Sequence, residues 1–413
     1  FNLSDKLLID CFLWMNNMKT KKIYNYGIDV DKETLKQFKN CYSEKFVVAA
    51  ALMPDAHLGY AAPIGAVLKT KKFVVPAWVG FDIGCGLIAI KIHGKNLVEK
   101  IRENKDKIYN AILRKIPMGA GNYNKESEIT EKTKKDFKNL LEKFEKKPYD
   151  KNIRNYLETN SLKHLGTLGG GNHLIELGTN EQRDTPFAKP SKKKNGELWL
   201  VIHSGSRGIG HTVAKKYMIS ASGSKEKENY EKTFPLDSSL EIGKEYLNVL
   251  EFGLDYALLN RLEMAYKVIE TLKEILHENL KYEVWVNKNH NHAVEEKGFF
   301  IHRKGATPAK KGARGIIPGN MRDGSFLVVG KGNAKFLFSS SHGAGRSLSR
   351  KEAREKYTMK EFAEAMKGIK GNVSSRTLDE LPMAYKNISE VMNAQKESVK
   401  TVRHIRPIIN WKG

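Results

Sequence analysis

Short apolar runs broken by glycine and proline open the patterned part of the chain: Phe46-Val47-Val48-Ala49-Ala50, Ile64-Gly65-Ala66-Val67-Leu68, Phe73-Val74-Val75 and Gly86-Leu87-Ile88-Ala89-Ile90. Runs of this length, rich in β-branched residues, predict strands. A polar helical stretch is predicted over 97–157, a buried strand over 198–202 and a helix over 211–220. The clearest helical pattern spans 239–280, where Leu247, Leu250, Leu254, Ala257, Leu258, Leu262, Ala265, Val268, Ile269 and Leu272 recur at three- and four-residue steps. Strands resume at 283–286, 299–301, 326–329 and 336–338, and helices are expected at 350–357, 360–366 and 383–402. The chain carries no internal repeat and no long proline- or serine-rich linker. This predicts a mixed α/β fold acting as a single unit, residues 1–413, with peripheral helices.

Composition narrows the class. With 40% apolar and 29% charged residues the chain reads as globular, and its apolar runs are too short for a transmembrane helix. The start, Phe1-Asn2-Leu3-Ser4-Asp5-Lys6, lacks the features of a signal peptide, and the three cysteines (Cys11, Cys41, Cys85) show no close pairing. A reducing, cytoplasmic setting is expected. The net charge of +24, from 71 Lys and Arg against 47 Asp and Glu, favours a polyanionic partner, most simply nucleic acid.

The candidate chemistry lies in glycine-rich turns beside the strands. His57, His173, His203, His292 and His342 all stand in such turns, where glycine lets backbone approach a ligand closely. In Asp82-Ile83-Gly84-Cys85-Gly86 a carboxylate and a thiol can face one metal ion, and the loop histidines around them make a metal site the stronger reading than an inert buried thiol. Thiolate and imidazole suit zinc while manganese prefers oxygen, so donor type leaves the metal open. Asp55 stands where it could orient His57. His290 and His292 are two apart, so on one strand they would share a side, and either could be a ligand. The loop His203-Ser204-Gly205-Ser206-Arg207-Gly208-Ile209-Gly210 imitates a dinucleotide fingerprint, but its glycine spacing is one residue too short. It reads instead as an anion loop with Arg207.

These motifs together resemble the RtcB family of RNA ligases over nearly the whole chain. The resemblance is carried by Met53-Pro54-Asp55-Ala56-His57-Leu58-Gly59, Gly80-Phe81-Asp82-Ile83-Gly84-Cys85-Gly86, Gly169-Gly170-Gly171-Asn172-His173, His203-Ser204-Gly205-Ser206-Arg207-Gly208 and Arg303-Lys304-Gly305-Ala306. It continues through Ile317-Pro318-Gly319, His342-Gly343-Ala344-Gly345-Arg346, Pro382-Met383-Ala384-Tyr385-Lys386 and Lys412-Gly413.

The resemblance implies strands and glycine loops around one central metal and nucleotide cleft. It implies joining of RNA 3′-phosphate or 2′,3′-cyclic phosphate ends to 5′-hydroxyl ends, with GTP as co-substrate and a pair of Mn2+ ions. By the resemblance Asp82, Cys85, His173, His203 and His292 hold the metals, with Cys85 bridging, and His342 becomes guanylylated. Asn172, His173, Leu174, Ile175, Glu176, His292, Ala293, Pro318, Gly319, Asn320, Met321, Ser325, His342, Gly343, Ala344, Gly345 and Lys412 would line the GTP site. Arg207 and Arg346 would meet RNA phosphates. An activating accessory protein is among the implied partners, and no membrane. Ala293 follows His292 where the family has asparagine, which is expected to remove a nucleotide contact. Gly84 and the compact length resemble the shorter bacterial branch, and tRNA splicing and RNA repair both fit. A metal-dependent RNA phosphohydrolase on the same scaffold is the alternative activity; a non-catalytic RNA-binding protein would leave the Asp82, Cys85 and histidine set unexplained.

Overall fold

The computed structural model describes residues 21–119, 121–180 and 196–413; Cys11 and the first residues discussed above lie outside them. Two sheets carry the architecture. The five-stranded one runs Lys22–Asn25, Val47–His57, Ile64–Thr70, Phe299–Lys304, Asn291–Glu296, with only the first pair parallel. The eight-stranded one runs Arg314–Pro318, Ser325–Gly330, Val399–Lys412, Leu174–Thr179, Leu198–Ser204, Gly86–His93, Lys281–Asn289, with Lys370–Gly371 pairing alongside Val399–Lys412.

The register of the larger sheet is what places the chemistry. Gly86 pairs with Ser204 and with Asn289, while Leu174 pairs with His203 and with Lys412. Cys85, His173, His203, His290 and Lys412 therefore emerge along one rim. The predicted long helix is Glu241–Leu276. Its Ala265, Val268, Ile269 and Leu272 pack on Ile88, Ile90, Leu200 and Ile202 of the sheet. Its first half, through Tyr246, Val249, Leu250, Phe252 and Tyr256, meets Phe137, Phe144, Val213 and Met218 of the outer helices. Each such side chain contributes roughly 1.5–3 kcal/mol on burial, which explains why a polar outer layer of helices stays docked.

Several expectations are corrected. The helical stretch 97–157 is divided among Leu97–Glu103, Lys105–Lys115, Glu131–Glu145 and Lys151–His164, each with its own buried stripe. The strand expected at 336–338 is a tight turn instead: Ala334–Phe336 is a short 3-10 helix, Leu337 and Phe338 have φ of 47° and 54°, and the strand follows at Ser339–Ser341. The closing helix expected at 383–402 is confined to Ile388–Ala394, and Val399–Lys412 is a central strand. Its Pro407 sits at a register shift, the place where a missing amide hydrogen is tolerated inside a sheet. Burial between Ser325–Gly330 and Leu174–Thr179 outweighs local propensity there. No helix among the described residues is long and apolar enough to cross a membrane.

Candidate metal and nucleotide site

A cavity of about 370 Å3 opens where the rim of the larger sheet meets the smaller one, and Asp82, Cys85, Asn172, Leu174, His203, His290 and His342 help line it. Cys85 and His203 of this lining belong to a donor cluster. The Cys85 Sγ lies 3.4 Å from His173 Nε2 and 3.2 Å from His203 Nε2. His173 Nε2 is also 3.0 Å from an Asp82 carboxylate oxygen, and His203 Nε2 is 3.2 Å from His290 Nε2. Cys85 thus stands between a carboxylate–imidazole pair and a pair of imidazoles. A Cβ at Gly205 would overlap the Asp82 carboxylate and displace it from its place beside His173.

The donors fit a soft or borderline divalent cation. The ligand atoms of Cys85, His173 and His203 all lie within 4.8 Å of one another. Burial, with Asp82 adding to it, pushes the Cys85 thiol well above its ordinary range, so a thiolate here needs a cation beside it. Burial and neighbouring positive groups hold His203 and His290 well below theirs, leaving neutral imidazoles with lone pairs. The His173 Nδ1 faces the Leu168 carbonyl at 2.9 Å, which assigns its proton to Nδ1 and turns the Nε2 lone pair to the cluster.

His292 does not join this cluster. The two histidines were expected to share one side of a strand, but His290 occupies the bend between Lys281–Asn289 and Asn291–Glu296. There its amide donates to the Cys85 carbonyl at 2.7 Å. His292 starts the regular alternation of the next strand, opposite Arg303, whose Nη1 lies 3.2 Å from its Nε2. A lone pair already taken by a guanidinium is not free for a cation. Asn291 follows His290 and donates to the Asp82 carbonyl at 3.2 Å, so a histidine–asparagine pair stands at 290–291 and not at 292–293. Ala293 is packed in an apolar cluster, as are Ile175 and Met321.

His342 follows the strand Ser339–Ser341, and its ring centroid lies 4.8 Å from that of His290. One oxygen of the fully buried Asp55 carboxylate accepts from His342 Nδ1 at 2.7 Å, from the His342 amide at 3.0 Å and from the Gly343 amide at 3.2 Å. Burial works to raise the Asp55 carboxyl, yet His342 and these amides hold it below the usual range. Asp55 therefore orients His342 and not His57, whose Nδ1 faces the Asp55 backbone carbonyl at 2.9 Å. Gly345, at φ 75°, lies so close to Asp55 that any Cβ would strike its backbone.

Among the remaining expected residues, Pro318, Gly319, Asn320, Gly343, Ala344 and Lys412 line the cavity. Ser325 Oγ donates to Glu176 at 3.4 Å, and burial raises the Glu176 carboxyl to about 8. Arg346 lines the cavity but is turned toward Glu380 (3.3 Å) and the Asp379 carbonyl (2.8 Å); Lys412 Nζ reaches Glu380 at 2.7 Å. Arg207 starts the helix Arg207–Ser222, and its Nε donates to Thr167 at 3.3 Å. Asp55 as partner of His342 and Glu380 as anchor were not found from sequence, and His290 was offered as a ligand only as one of two alternatives with His292. Asp55 and His290 stood inside quoted motifs, whereas Glu380 carried no motif signal.

Glu176 has a measurable consequence. Its folded-state carboxyl keeps a proton that the unfolded chain loses near the ordinary 4.5, so this group's effect on stability turns unfavourable as pH rises from there toward about 8. In Glu176→Gln the melting temperature and the unfolding free energy should both fall less than in the parent between about pH 5 and about pH 8, the free-energy difference being on the order of a few kcal/mol. Parallel melting curves for the two proteins would count against the assignment.

Fold and site together define a mixed α/β protein with a metal-competent thiolate–imidazole centre beside an oriented histidine. The family model described as "tRNA-splicing ligase RtcB" matches residues 37–413. The chain is 31% identical over 410 residues to the RNA-splicing ligase RtcB of Escherichia coli K12, covering 95% of this chain and 97% of that one. It is 29% identical to the tRNA-splicing ligase RtcB of Nanoarchaeum equitans, covering 89% of each, and 28% identical to RNA-splicing ligase RtcB homolog 1 of Entamoeba dispar, covering 92% of this chain and 82% of that one. The chain belongs to the RtcB family.

Proposed function

We propose that this chain is a cytoplasmic, GTP- and manganese-dependent RNA ligase that joins 3′-phosphate or 2′,3′-cyclic phosphate ends to 5′-hydroxyl ends as one catalytic unit. The observation that carries it is the Asp55 clamp on His342. A carboxylate accepting from Nδ1 leaves Nε2 as the lone-pair nitrogen, held in a cleft beside the donor cluster. A metal-dependent phosphohydrolase needs the cluster but has no use for such a clamped nucleophile.

In this reading His342 Nε2 attacks the α-phosphorus of GTP, forming a P–N bond as pyrophosphate leaves. The guanylate then passes to the RNA 3′-phosphate, and attack of the 5′-hydroxyl forms the phosphodiester and expels GMP. Asp55 stabilises the charge that develops on the ring. The guanine edge, with adjacent N–H donors, suits Glu176 once its carboxyl gives up the proton that burial holds on it; that carboxyl has only long hydrogen bonds to Ser325 and Asn410, both 3.4 Å. Lys412 lines the cavity and pairs in the sheet with Leu174, two residues from Glu176. Asp82, Cys85, His173, His203 and His290 would hold the metal ions, which neutralise charge on the phosphates when bound. The strongly basic chain suits an RNA backbone.

The direct test is incubation with radiolabelled GTP and manganese. An acid-labile, alkali-stable guanylate adduct is expected, and its absence alongside phosphate release from RNA would favour the hydrolase. Because thiolate and imidazole prefer zinc to manganese, zinc should occupy the centre and inhibit, with activity returning on exchange into manganese. Full ligation in zinc alone, with manganese inert, would overturn that expectation.

A further inference from the structure

Arg261, in the middle of the long helix, is fully buried and takes no part in the chemistry above. Its guanidinium makes a set of bonds that converge beneath the donor cluster. Nε donates to Asn287 Oδ1 at 2.8 Å and Nη2 to Asn289 Oδ1 at 2.7 Å. Nη1 donates to the backbone carbonyls of Gly84 at 3.0 Å and Ser204 at 2.7 Å. All these acceptors are neutral. A buried cation without an adjacent anion is costly, and the acidic groups whose fields reach it are Cys85 and Asp82.

The acceptors are adjacent to the donors that matter. Gly84 precedes Cys85, Ser204 follows His203, and Asn289 precedes His290. The same helix reinforces each attachment: Asn287 and Asn289 donate to the Leu258 and Leu254 carbonyls at 3.1 and 3.2 Å, and Asn260 donates to the Gly205 carbonyl at 3.0 Å. The planar fork of arginine can hold carbonyls from several strands at once, which a lysine ammonium cannot do with the same geometry.

We propose that Arg261 is the positioning residue of the metal centre: its one guanidinium sets the spacing of the Cys85, His203 and His290 donors and thereby how tightly they hold a cation. The inference rests on reading the cluster as a metal centre. Groups that orient metal ligands from behind typically change affinity by about 10–100-fold when removed.

The test is Co2+ titration of the metal-free full chain, following the thiolate-to-cobalt charge-transfer band, with circular dichroism and melting temperature recorded on the same samples. Arg261→Lys should keep the fold, weaken Co2+ binding by about 10–100-fold and shift the band. Arg261→Ala should bind more weakly still, and added guanidinium at low concentration should restore part of the affinity and the band position. Should Arg261→Lys fold and bind within twofold of the parent with an unchanged band, the inference fails. It fails equally if affinity falls only in step with loss of the fold and guanidinium restores nothing. A parent protein that gives no charge-transfer band overturns the metal-centre reading itself, whatever the variants do.

Discussion

His342→Ala should abolish both the guanylate adduct and RNA joining, by on the order of a thousandfold or more, because in the proposed mechanism its Nε2 is the atom that carries GMP. The ring's Nδ1 is bound to Asp55, which leaves Nε2 as the nitrogen that the proposal assigns to the attack. The donor cluster does not include His342, so Co2+ or Mn2+ affinity should change little. Opening of a 2′,3′-cyclic phosphate needs metal and water and no guanylate, and it should persist where it occurs at this centre. Gel analysis of labelled protein and of end-labelled RNA separates these readouts. Joining at near parental rate in His342→Ala would dispose of the mechanism and return the hydrolase reading to the front.

Cys85→Ala should remove adduct formation, joining and cyclic phosphate opening together, since its sulfur lies against both halves of the cluster. Metal affinity should fall by about 100-fold or more, beyond what loss of an outer partner produces. His290→Ala should follow the same pattern, with its loss centred on the half shared with His203. His292→Ala should leave metal binding close to the parent and act through Arg303, whose guanidinium would lose a buried acceptor. Equilibrium Co2+ titration of the three variants distinguishes them. If His292→Ala loses the metal while His290→Ala keeps it, the placement of the bend between the two strands is wrong.

Much of the site was legible because its residues sit in local motifs. Asp82 and Cys85 share one glycine turn, His173 precedes an apolar run, His203 ends one and His342 comes shortly after one, so their types and their places at strand ends could be read directly. The strands after Cys85 and around His203 and the long amphipathic helix were visible in periodicity alone. The strand Val399–Lys412 was not, since its buried position between two other strands is a non-local fact that local propensity does not encode. The choice between His290 and His292 was also invisible: a period of two treats them alike, and only a bend at one of them separates their directions.

The sequence by itself determined the donor types, the glycine turns that carry them and the family to which the chain belongs. The tertiary structure alone decided the partners. Asp55 reaches His342 across 287 residues, Arg261 binds turns on either side of it in the chain, and Glu380 collects Arg346 and Lys412. Local sequence restricts backbone angles over a few residues, whereas these contacts depend on the register of strands paired from distant parts of the chain. A shift of one residue in that register would turn every side chain to the opposite face and dissolve the site.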